Sequence, residues 1–491
     1  MNNSNDKQIT SGSVIGGGGT ANQNNLLSLS TLNEALAQAI ENAITYANQY
    51  PLPLSEQIAS KVEEIILGDM NAWINYKNML AGMDGTKISR MNYLSPAVIA
   101  RLMIALEGVK ALDYTNGNDS AQCQLGIYQY AGRNEGIYAT SEAALNTVIR
   151  KYHFSISASG LRQVRELLLK TAPVVMVGKQ KNLIAVNNGI FDYETKRLLE
   201  FSPEYVFVSK CRVDLLDNPS NISIHNNEDG TDWNIEDWIH ELTDDPQIEK
   251  LLWQIIGASI RPNVRWNKAL FLYSTRGNNG KGTFCTLLRN LCGEGNHVSI
   301  AINDMAKNYR LSPLLHASAV IVDENSVNGY LDDAATFKAL VTGDKVQIEA
   351  KYKDPVDFRF SGLMVQCINF LPRVNDKTSS FYRRLLMVPF DKCFTGMERK
   401  YIKDDYLNRK EVLEYVLHKV LKDMPSYYEF DIPDVSEALL GEYKTFNDPV
   451  RQFAEEILPQ LSWDLVPFKF LYDLFKEWYK ENIPSGKRLQ Y

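Results

Sequence analysis

Hydrophobic positions recur at helical spacing close to the start of the chain. The spacing predicts a helix with one apolar face, formed by Leu32, Leu36, Ile40, Ile44 and Ala47. At the start of that run, Thr31 and Glu34 have the separation of a capping box, in which each side chain bonds the backbone N–H of the other residue. Residues 1–25 are instead rich in Asn, Ser and Gly, so we expect a flexible tail there and a partly buried helix after Thr31.

Short apolar runs separated by turn residues are found between about residue 60 and residue 235. The runs Leu183–Val186, Gly189–Tyr193 and Tyr205–Ser209 predict strands, because Asn-Asn-Gly and Ser-Pro sequences divide them. Residues 26–235 are therefore expected to form an α+β N-terminal domain. A helical pattern over residues 236–260 follows, and Pro262 is expected to end it.

Apolar, strand-like runs then alternate with helical stretches between residues 269 and 390. The strand-like runs are Ala269–Tyr273, Ala319–Val322, Leu363–Cys367 and Leu385–Val388. This alternation is typical of an α/β fold with a mainly parallel sheet. We expect residues 236–400 to form such an α/β core.

Helical periodicity returns after the core. Residues 405–425 are predicted to be helical, and so are residues 468–479. The apolar face of the second helix would be formed by Phe468, Leu471, Phe475 and Trp478. We expect residues 401–491 to form a helical or winged-helix-like C-terminal domain. Because the chain ends at Tyr491, shortly after a Ser-Gly-Lys turn sequence, we also expect this domain to be cut short.

The composition is that of a soluble globular protein. The 491 residues are 45% hydrophobic, 10% aromatic and 23% charged, which fits about three domains with cores of their own. The six cysteines form no C-x-x-C pair, no apolar run approaches the roughly eighteen residues of a membrane span, and the N-terminus lacks the order of a signal peptide. These features predict a cytoplasmic protein without a membrane partner. The net charge of −7 means that any contact with nucleic acid must be confined to a local basic surface.

A glycine-containing segment after the run Ala269–Tyr273 has the properties of a phosphate-binding loop. In such a loop, backbone N–H groups at the start of a helix face the phosphates, and glycines let the chain curl around them. Lys281 is expected to bridge the β- and γ-phosphates of ATP. The strict consensus is not met, because Thr275 replaces its first glycine and Gly282 replaces the hydroxyl residue after the lysine. The candidate nucleotide-binding residues are Gly277, Asn278, Asn279, Gly280, Lys281, Gly282 and Thr283.

Polar residues that could complete an ATPase follow in order. Asp323 and Glu324 end an apolar run, and an ATPase needs such carboxylates to hold Mg²⁺ and to polarise water. We assign Asp323 to the metal and Glu324 to the water. Asn369 ends the next predicted strand, where it could orient the attacking water or bond a γ-phosphate. Arg383 and Arg384 precede the last strand, and an arginine delivered across a subunit boundary could neutralise the charge on the transferred phosphoryl group.

A candidate hairpin lies between these motifs. Two predicted strands flank a turn at Asp354-Pro355, and Lys351, Tyr352 and Lys353 stand at the tip. A lysine pair on an exposed hairpin is about as often merely solvated as functional. A nucleic-acid motor, however, needs such a tip to hold the phosphates of DNA.

In their order from residue 269 to residue 390, these motifs resemble those of superfamily three helicases of the AAA+ class, particularly the phage, plasmid and poxvirus primase-helicase group. The segment Phe337-Lys-Ala-Leu-Val-Thr-Gly-Asp344 and the upstream segment Asn187-Asn-Gly-Ile-Phe-Asp-Tyr-Glu-Thr195 share in the resemblance. It implies a P-loop core, a homo-hexameric ring with ATP sites between subunits, and DNA gripped by the hairpin in a central channel. It also implies a role in starting the replication of a phage or other mobile element.

Other functions stay open from the sequence. Lys-Gly-Thr loops also occur in nucleotide kinases, although residues 284–316 offer mainly apolar and neutral side chains for an acceptor site. An origin-binding protein whose ATPase only switches conformation would use the C-terminal Lys469, Lys476 and Lys480 on duplex DNA, but these lysines equally fit the solvated face of a helix. The acidic stretch Glu228–Asp237 lies in a polar segment and not at a strand end, so a primase site is not expected and the helicase-only form is favoured.

Overall fold

A computed structural model describes residues 25–83, 85–115, 123–325, 330–331, 334–349, 356–374, 376, 378–462 and 465–482. Most of the expected N-terminal tail and the hairpin tip of Lys351, Tyr352 and Lys353 therefore lie outside the described residues. The chain folds as two compact units. Unit 1 comprises residues up to Leu112 with residues 124–135 and 139–175, and unit 2 comprises residues 113–123, 136–138 and 176 onwards. The expected domain boundary at residue 235 falls inside unit 2.

Unit 1 combines helices with a small sheet. Its helices are α1 (Leu32–Ala47), α2 (Glu56–Leu80), α3 (Pro96–Leu106), α4 (Glu142–Tyr152) and α5 (Ala158–Thr171). The sheet, built mostly from residues of this unit, contains β1 (Val109–Asp113), β2 (Gln124–Tyr128), β3 (Tyr138–Ala139) and β4 (Val174–Met176). The strands lie in the order β3-β2-β1-β4.

Helix α1 confirms the predicted capping box. Thr31 Oγ1 accepts a hydrogen bond from Glu34 N at 3.2 Å, and Glu34 Oε2 accepts one from Thr31 N at 3.0 Å. The predicted apolar face is correct only in part, since Ile40 is buried but Leu32 is 44% exposed. The buried face of the helix consists of Ala35, Ala39, Ile40, Ala43 and Ala47.

Unit 2 begins with short antiparallel strands. They are β5 (Leu183–Val186), β6 (Gly189–Asp192), β7 (Arg197–Leu199), β8 (Ile224–His225) and β9 (Asp232–Trp233), paired as β5-β6-β7 and β8-β9. The first two strands predicted in this region are confirmed. The prediction of a strand at Tyr205–Ser209 is wrong, because this segment forms no ladder of backbone hydrogen bonds. It has a backbone contact with β3, in which Phe207 O accepts a hydrogen bond from Tyr138 N at 2.7 Å.

The predicted helical run over residues 236–260 is interrupted. It forms two helices, α6 (Ile235–Glu241) and α7 (Pro246–Ser259). Asp245 causes the break, because its Oδ1 accepts a hydrogen bond from Gln247 N at 2.8 Å and so caps a new helix. Pro246 at the first position of that helix favours the same start.

A parallel sheet forms the centre of unit 2. The strands that follow α7 are β10 (Ala269–Tyr273), β11 (His297–Val298), β12 (Ala319–Val322), β13 (Tyr330–Leu331), β14 (Lys345–Ile348), β15 (Val356–Arg359), β16 (Leu363–Ile368), β17 (Arg373–Val374) and β18 (Leu385–Pro389). Five of them form the sheet in the order β11-β12-β16-β10-β18, and every neighbouring pair is parallel. The four strands predicted from apolar runs are confirmed, since a buried parallel sheet requires continuous apolar strands. Outside this sheet, β13 pairs with β17 and β14 with β15.

Helices alternate with the strands of the sheet along the chain, and further helices follow the last strand. They are α8 (Lys281–Cys292), α9 (Ala334–Thr342), α10 (Ser379–Tyr382), α11 (Lys400–Asp404), α12 (Lys410–His418), α13 (Asp434–Asn447), α14 (Pro449–Ile457) and α15 (Phe468–Asn482). The predicted helix over 405–425 is shorter, because α12 passes into a π-helical turn at Lys419–Asp423. Residues 401–462 and 465–482 contain no strand. Of the two C-terminal folds predicted, these residues therefore have the helical one and not the winged-helix one. In the part of the chain that the structure describes, no helix is both long and apolar enough to cross a membrane.

A buried arginine joins separate segments of unit 2. Arg261 is 1% exposed, and its guanidinium carbon lies 4.0 Å from the ring centre of Tyr193 and 5.0 Å from that of Tyr427. The rings of Trp266 and Tyr428 lie within 5.0 Å as well. The guanidinium donates to Tyr427 O at 2.8 Å, while Nε and Nη2 have no partner in the described residues. Aromatic faces therefore provide most of the compensation for this buried charge.

We expect Arg261→Ala to destabilise unit 2 by about 2–5 kcal/mol, because the change opens a cavity and removes the cation from four aromatic rings. Denaturant unfolding measures this change. Arg261→Met keeps most of the volume, so the difference between the two variants separates packing from charge. The matched control is Arg265→Ala, whose exposed side chain should contribute less than about 0.5 kcal/mol. Equal stability of the Arg261→Ala and Arg265→Ala variants would contradict the expectation.

Candidate functional site

The carboxyl edge of the parallel sheet gathers the predicted ATPase residues. Tyr273 pairs with Ile368 at the ends of β10 and β16, and Val322 pairs with Gln366 at the end of β12. The glycine-containing loop, the carboxylates after Val322 and Asn369 therefore leave the sheet along one edge. In open parallel sheets, ligands bind at the carboxyl ends of the strands.

The loop between β10 and α8 is held in shape by its own atoms and by a later segment. Asn279 Nδ2 donates to Arg276 O at 2.6 Å. Asn278 O accepts from Phe394 N at 2.7 Å, and Asn278 Nδ2 donates to Glu398 Oε1 at 3.0 Å. The loop is thus fastened to residues more than a hundred positions further along the chain.

The expected roles of the two loop glycines differ in the structure. Gly280 has a φ of +86°, and a Cβ there would lie 2.6 Å from Leu242 Cδ2. Gly277 has no positive φ, and a Cβ on it would meet no atom within 4 Å. Asn278, with a φ of +52°, takes the left-handed conformation instead. The expectation that Gly277 is needed for the curl of the backbone is therefore corrected.

The conformation of Gly280 leads to a prediction about stability, for which Gly282 is the matched control. Gly280→Ala is expected to lower the free energy of unfolding by about 1–3 kcal/mol and to weaken nucleotide binding, because alanine disfavours this φ. Gly282→Ala, two residues further on, should be neutral or stabilising by up to about 1 kcal/mol, since a Cβ there meets no atom within 4 Å. Thermal unfolding and titration with a fluorescent ATP analogue measure the two effects. Equal losses in both variants would contradict the assignment of Gly280.

Lys281 begins α8 and is buried. Its exposed fraction is only 6%, and no hydrogen-bond or ion-pair partner for its ammonium exists in the described residues. Burial lowers the pKa of Lys281, while the nearby thiols of Cys367 and Cys285 act in the opposite direction. A buried cation without a counter-charge is costly, so the folded protein gains when an anion binds beside it. The N-terminal N–H groups of α8 add to the attraction, because Gly280 provides no side-chain cap.

Asp323 is held by an arginine of α8, the helix that begins with Lys281. Arg289, two turns after Lys281 on α8, binds Asp323 through both carboxylate oxygens, at 2.9 and 3.0 Å. This hydrogen bond is the main reason why the pKa of Asp323 is lowered, so the carboxylate stays ionised. The neighbouring Glu324 is exposed. The sequence did not indicate that Asp323 already has a cationic partner.

Asn369 is exposed at the end of β16, while a second asparagine that the sequence analysis missed links two strands. Asn325 Nδ2 donates to Gln366 Oε1 at 3.1 Å and to Cys367 O at 3.0 Å, and its Oδ1 accepts from Ile302 N at 3.2 Å. It holds the segment after Asp323 against β16. Its position directly after the two carboxylates was the only signal in the sequence.

A cavity of about 370 Å³ adjoins the loop. Asn278, Gly280 and Thr283 form the side next to the loop, so Thr283 faces the space that a nucleotide would enter. Its apolar wall comes from separate segments, namely Trp238, Leu242, Phe394, Met397 and Ile402. The other lining residues are charged, namely Glu398, Arg399, Lys400, Lys403 and Asp404, so the cavity has both apolar and charged sides. The sequence gives no signal for these wall residues, because they lie in separate segments that contain no motif.

The two candidate arginines lie at the opposite edge of the sheet. Ala269 pairs with Leu385, so Arg383 and Arg384 precede the start of β18, and the length of β10, roughly 15 Å, separates them from the loop. Arg384 donates to Ser380 O and, at 2.7 Å, to Ser380 Oγ, and burial lowers its pKa. Arg383 is exposed, and its guanidinium has no partner in the described part of the chain. Neither side chain can reach the loop of its own subunit.

The hairpin is present where the sequence predicts it. Strands β14 and β15 are antiparallel, with Lys345 opposite Arg359 and Ile348 opposite Val356. Helix α9 leads into it, as expected from the segment Phe337–Asp344. Because residues 350–355 lie outside the described ranges, the roles of Lys351, Tyr352 and Lys353 stay predictions.

Three family models match parts of the chain. Residues 123–257 match a family described as D5 N terminal like, residues 446–484 match the poxvirus D5 protein-like family, and residues 272–384 match a family of unknown function, DUF5906. The last range contains the loop, Asp323, Asn369 and both arginines. The chain is thus similar in part to D5-like proteins, and each of the three matches covers less than half of its length.

Solved structures show only low similarity to the chain. An apo structure of the NrS-1 C-terminal region is 12% identical, with 78% of this chain and 86% of that chain covered and a TM-score of 0.43. Another apo structure of the same region is 13% identical, with 78% and 85% covered and a TM-score of 0.44. An inhibitor-bound JCV helicase is 16% identical, with 49% and 63% covered and a TM-score of 0.28. With TM-scores below 0.5, these similarities do not establish a common fold.

Proposed function

We propose that this protein is an ATP-dependent DNA helicase of superfamily three and the AAA+ class, which acts as a homo-hexameric ring in the replication of a phage or other mobile element. One observation carries the proposal. Lys281 is buried without a counter-charge among the described residues, at the edge of the sheet from which Asp323, Glu324 and Asn369 also emerge. A triphosphate would supply the missing negative charge at that point.

In the proposed complex, the loop residues Gly277–Thr283 surround the phosphates of ATP. Lys281 neutralises charge on the β- and γ-phosphates, and the N–H groups at the start of α8 donate to their oxygens. Thr283 contacts a phosphate from the wall of the 370 Å³ cavity. The base lies against the apolar wall near Trp238 and Phe394, which fits the apolar character of that wall.

The proposed hydrolytic residues are the two carboxylates and Asn369. Glu324 polarises the attacking water, and Asn369 orients it or bonds the γ-phosphate. Asp323 would hold Mg²⁺ together with phosphate oxygens and water, because this cation takes oxygen ligands and retains several waters. The ion would neutralise phosphate charge. The carboxylate oxygens of Asp323 and Glu324 fit this arrangement, because they are the type of ligand that Mg²⁺ prefers.

Asp323 would have to exchange partners to hold a metal ion. Arg289 contacts both of its carboxylate oxygens. In the proposed complex, Arg289 would be released toward the phosphates or toward solvent. The contact with Arg289 keeps the carboxylate of Asp323 ionised and oriented.

The arginine that completes the site is proposed to come from a neighbouring subunit. Arg383 is the better candidate of the two, because it is exposed and unpaired in the described residues whereas Arg384 is bound to Ser380. An arginine at the far edge of the sheet can reach a nucleotide only across an interface between subunits. This requirement supports a ring in which each ATP site is shared.

The proposed DNA contact is the hairpin tip of Lys351, Tyr352 and Lys353, in the central channel of the ring. The C-terminal lysines are less suited to binding duplex DNA, since Lys476 pairs with Asp473 at 2.7 Å and Lys480 pairs with Glu477 at 2.6 Å. These ion pairs favour the interpretation that the lysines form the solvated face of a helix, and not that they bind origin DNA.

Steady-state ATP hydrolysis with and without single-stranded DNA tests the proposal. We expect hydrolysis that depends on Mg²⁺ and rises when DNA enters the channel. Transfer of phosphate to a nucleotide instead of water would support the nucleotide-kinase alternative. Absence of both reactions in the assembled protein would contradict the proposal.

A further inference from the structure

A second cavity in unit 2 lies at the amino edge of the parallel sheet. Its volume is about 230 Å³. Several of its lining residues lie within six positions before the start of strand β10, β12 or β16, namely Asn263, Arg265, Leu315, Ala317, Ser361 and Gly362. The loop with Lys281 leaves the sheet at the carboxyl edge, so this cavity is separate from the proposed ATP site.

The charged side chains that line this cavity are all cationic. They are Lys179, Arg265 and Arg359, and no acidic residue lines the cavity. In a protein with a net charge of −7, three cations around one cavity mark a local basic site. Such a site favours an anion.

Few acceptors reach these cations in the part of the chain that the structure describes. Arg359 Nε is buried without a hydrogen-bond partner, and the guanidinium reaches only Gly343 O, at 3.5 Å. The side chains of Lys179 and Arg265 have no hydrogen-bond or ion-pair partner among the residues that the structure describes. Buried polar donors are normally satisfied, so an unpartnered guanidinium N–H beside a cavity points to a ligand that supplies the acceptor.

The position of Arg359 indicates where that ligand comes from. Arg359 pairs with Lys345 at the foot of the hairpin, and Val356, opposite Ile348, begins the strand that leads down from the tip. Val356 and Arg359 are three residues apart on β15, which corresponds to roughly 10 Å. A nucleic-acid strand that runs along these two strands of the hairpin would therefore pass close to the cavity.

The size of the cavity limits the ligand. Pockets for whole small molecules usually measure about 300–1,000 Å³, and this cavity is smaller. It suits one phosphate group better than a complete nucleotide. Guanidinium groups bind phosphate oxygens through paired N–H donors, which suits Arg265 and Arg359.

We propose that this cavity is a second phosphate site, which holds a backbone phosphodiester of the single strand that the hairpin engages. The inference rests on the proposed function, because it needs a strand in the channel. It adds Lys179, Arg265 and Arg359 to the DNA-binding residues. The site would fix the path of the strand along the hairpin without recognising base sequence.

Salt-dependent binding of single-stranded DNA tests the site. The triple variant Lys179→Gln, Arg265→Gln, Arg359→Gln should bind more weakly, and its slope of log K against log salt should fall by up to about 2, at about 0.7 for each lost phosphate contact. The control Lys250→Gln, Arg451→Gln, Lys480→Gln removes the same charge from exposed side chains of unit 2 that pair with neighbouring carboxylates. Its slope should stay near that of the unchanged protein.

A double variant covers the case in which loss of the half-buried Arg359 disturbs folding. Lys179→Gln with Arg265→Gln changes only exposed side chains and should lower the slope by about 1 to 1.5. ATP hydrolysis without DNA should be unchanged in both cavity variants. Slopes equal to that of the control, or weakened binding of free ATP, would overturn the second phosphate site. Failure of the unchanged protein to bind the strand would overturn the proposed function as well, so the two failures can be told apart.

Discussion

Replacing Lys281 with alanine is expected to lower ATP hydrolysis by about 100- to 1,000-fold, the range found when one preorganised donor to a developing negative charge is removed. Binding of ATP should weaken as well, since Lys281 is the buried cation of the loop. Hydrolysis assays and titration with an ATP analogue measure both effects. The control is Lys250→Ala, because Lys250 is exposed and pairs with Asp431 at 2.7 Å far from any motif.

The stability of Lys281 variants separates function from folding. Lys281→Met keeps most of the side-chain volume and removes a buried charge that has no counter-charge in the described residues. We therefore expect the thermal midpoint of the nucleotide-free protein to stay the same or rise, while hydrolysis is lost. A lower midpoint together with nearly normal ATP binding would show that Lys281 serves the fold and not the nucleotide.

Replacing Arg383 with alanine is expected to lower ATP hydrolysis by about 1,000-fold or more, in line with the effect of arginines that act across an interface. Because Arg383 is exposed, the change should leave stability within about 0.5 kcal/mol. Arg384→Ala is the matched comparison. It should mainly weaken the contact with Ser380, with a smaller effect on hydrolysis. The opposite order of the two effects would transfer the role to Arg384.

Mixing inactive subunits tests whether the site is shared. Lys281→Ala subunits retain Arg383, and Arg383→Ala subunits retain Lys281. If both residues act at one interface, random mixing of the two proteins should restore about a quarter of the sites. Activity that stays at the sum of the separate variants would contradict a site built from two subunits.

The sequence predicts the parts of this protein that depend on neighbouring residues. The apolar runs of β10, β12, β16 and β18 are continuous because the strands are buried on both faces, so their prediction succeeds. The capping box at Thr31 succeeds for the same reason, since its partners are close in sequence. The α6–α7 break was missed because a single cap at Asp245 outweighed a continuous helical pattern.

The rest depends on contacts between distant segments. No local pattern indicates that Arg289 binds Asp323, or that four aromatic rings surround Arg261. The left-handed conformation of Asn278 likewise occurs where the loop contacts the distant Phe394. The order of the motifs could therefore predict which residues share an edge of the sheet, but not which partners hold them there.

The two edges of the sheet carry different proposed functional residues. The carboxyl edge carries Lys281, Asp323 and Asn369, and the amino edge carries Arg383 and the foot of the hairpin. Nucleotide bound at the carboxyl edge of one subunit would meet the amino edge of the next. In this arrangement, hydrolysis at an interface and movement of the hairpin are mechanically linked through the strands.

ATP-dependent separation of forked DNA tests the central claim most directly. We expect the assembled protein to separate the strands with hydrolysable ATP and Mg²⁺. Neither a non-hydrolysable analogue nor the Lys281→Met variant should support separation. An assembled protein that hydrolyses ATP and binds the fork but separates no strand would contradict the account and favour an ATP-switched origin-binding protein.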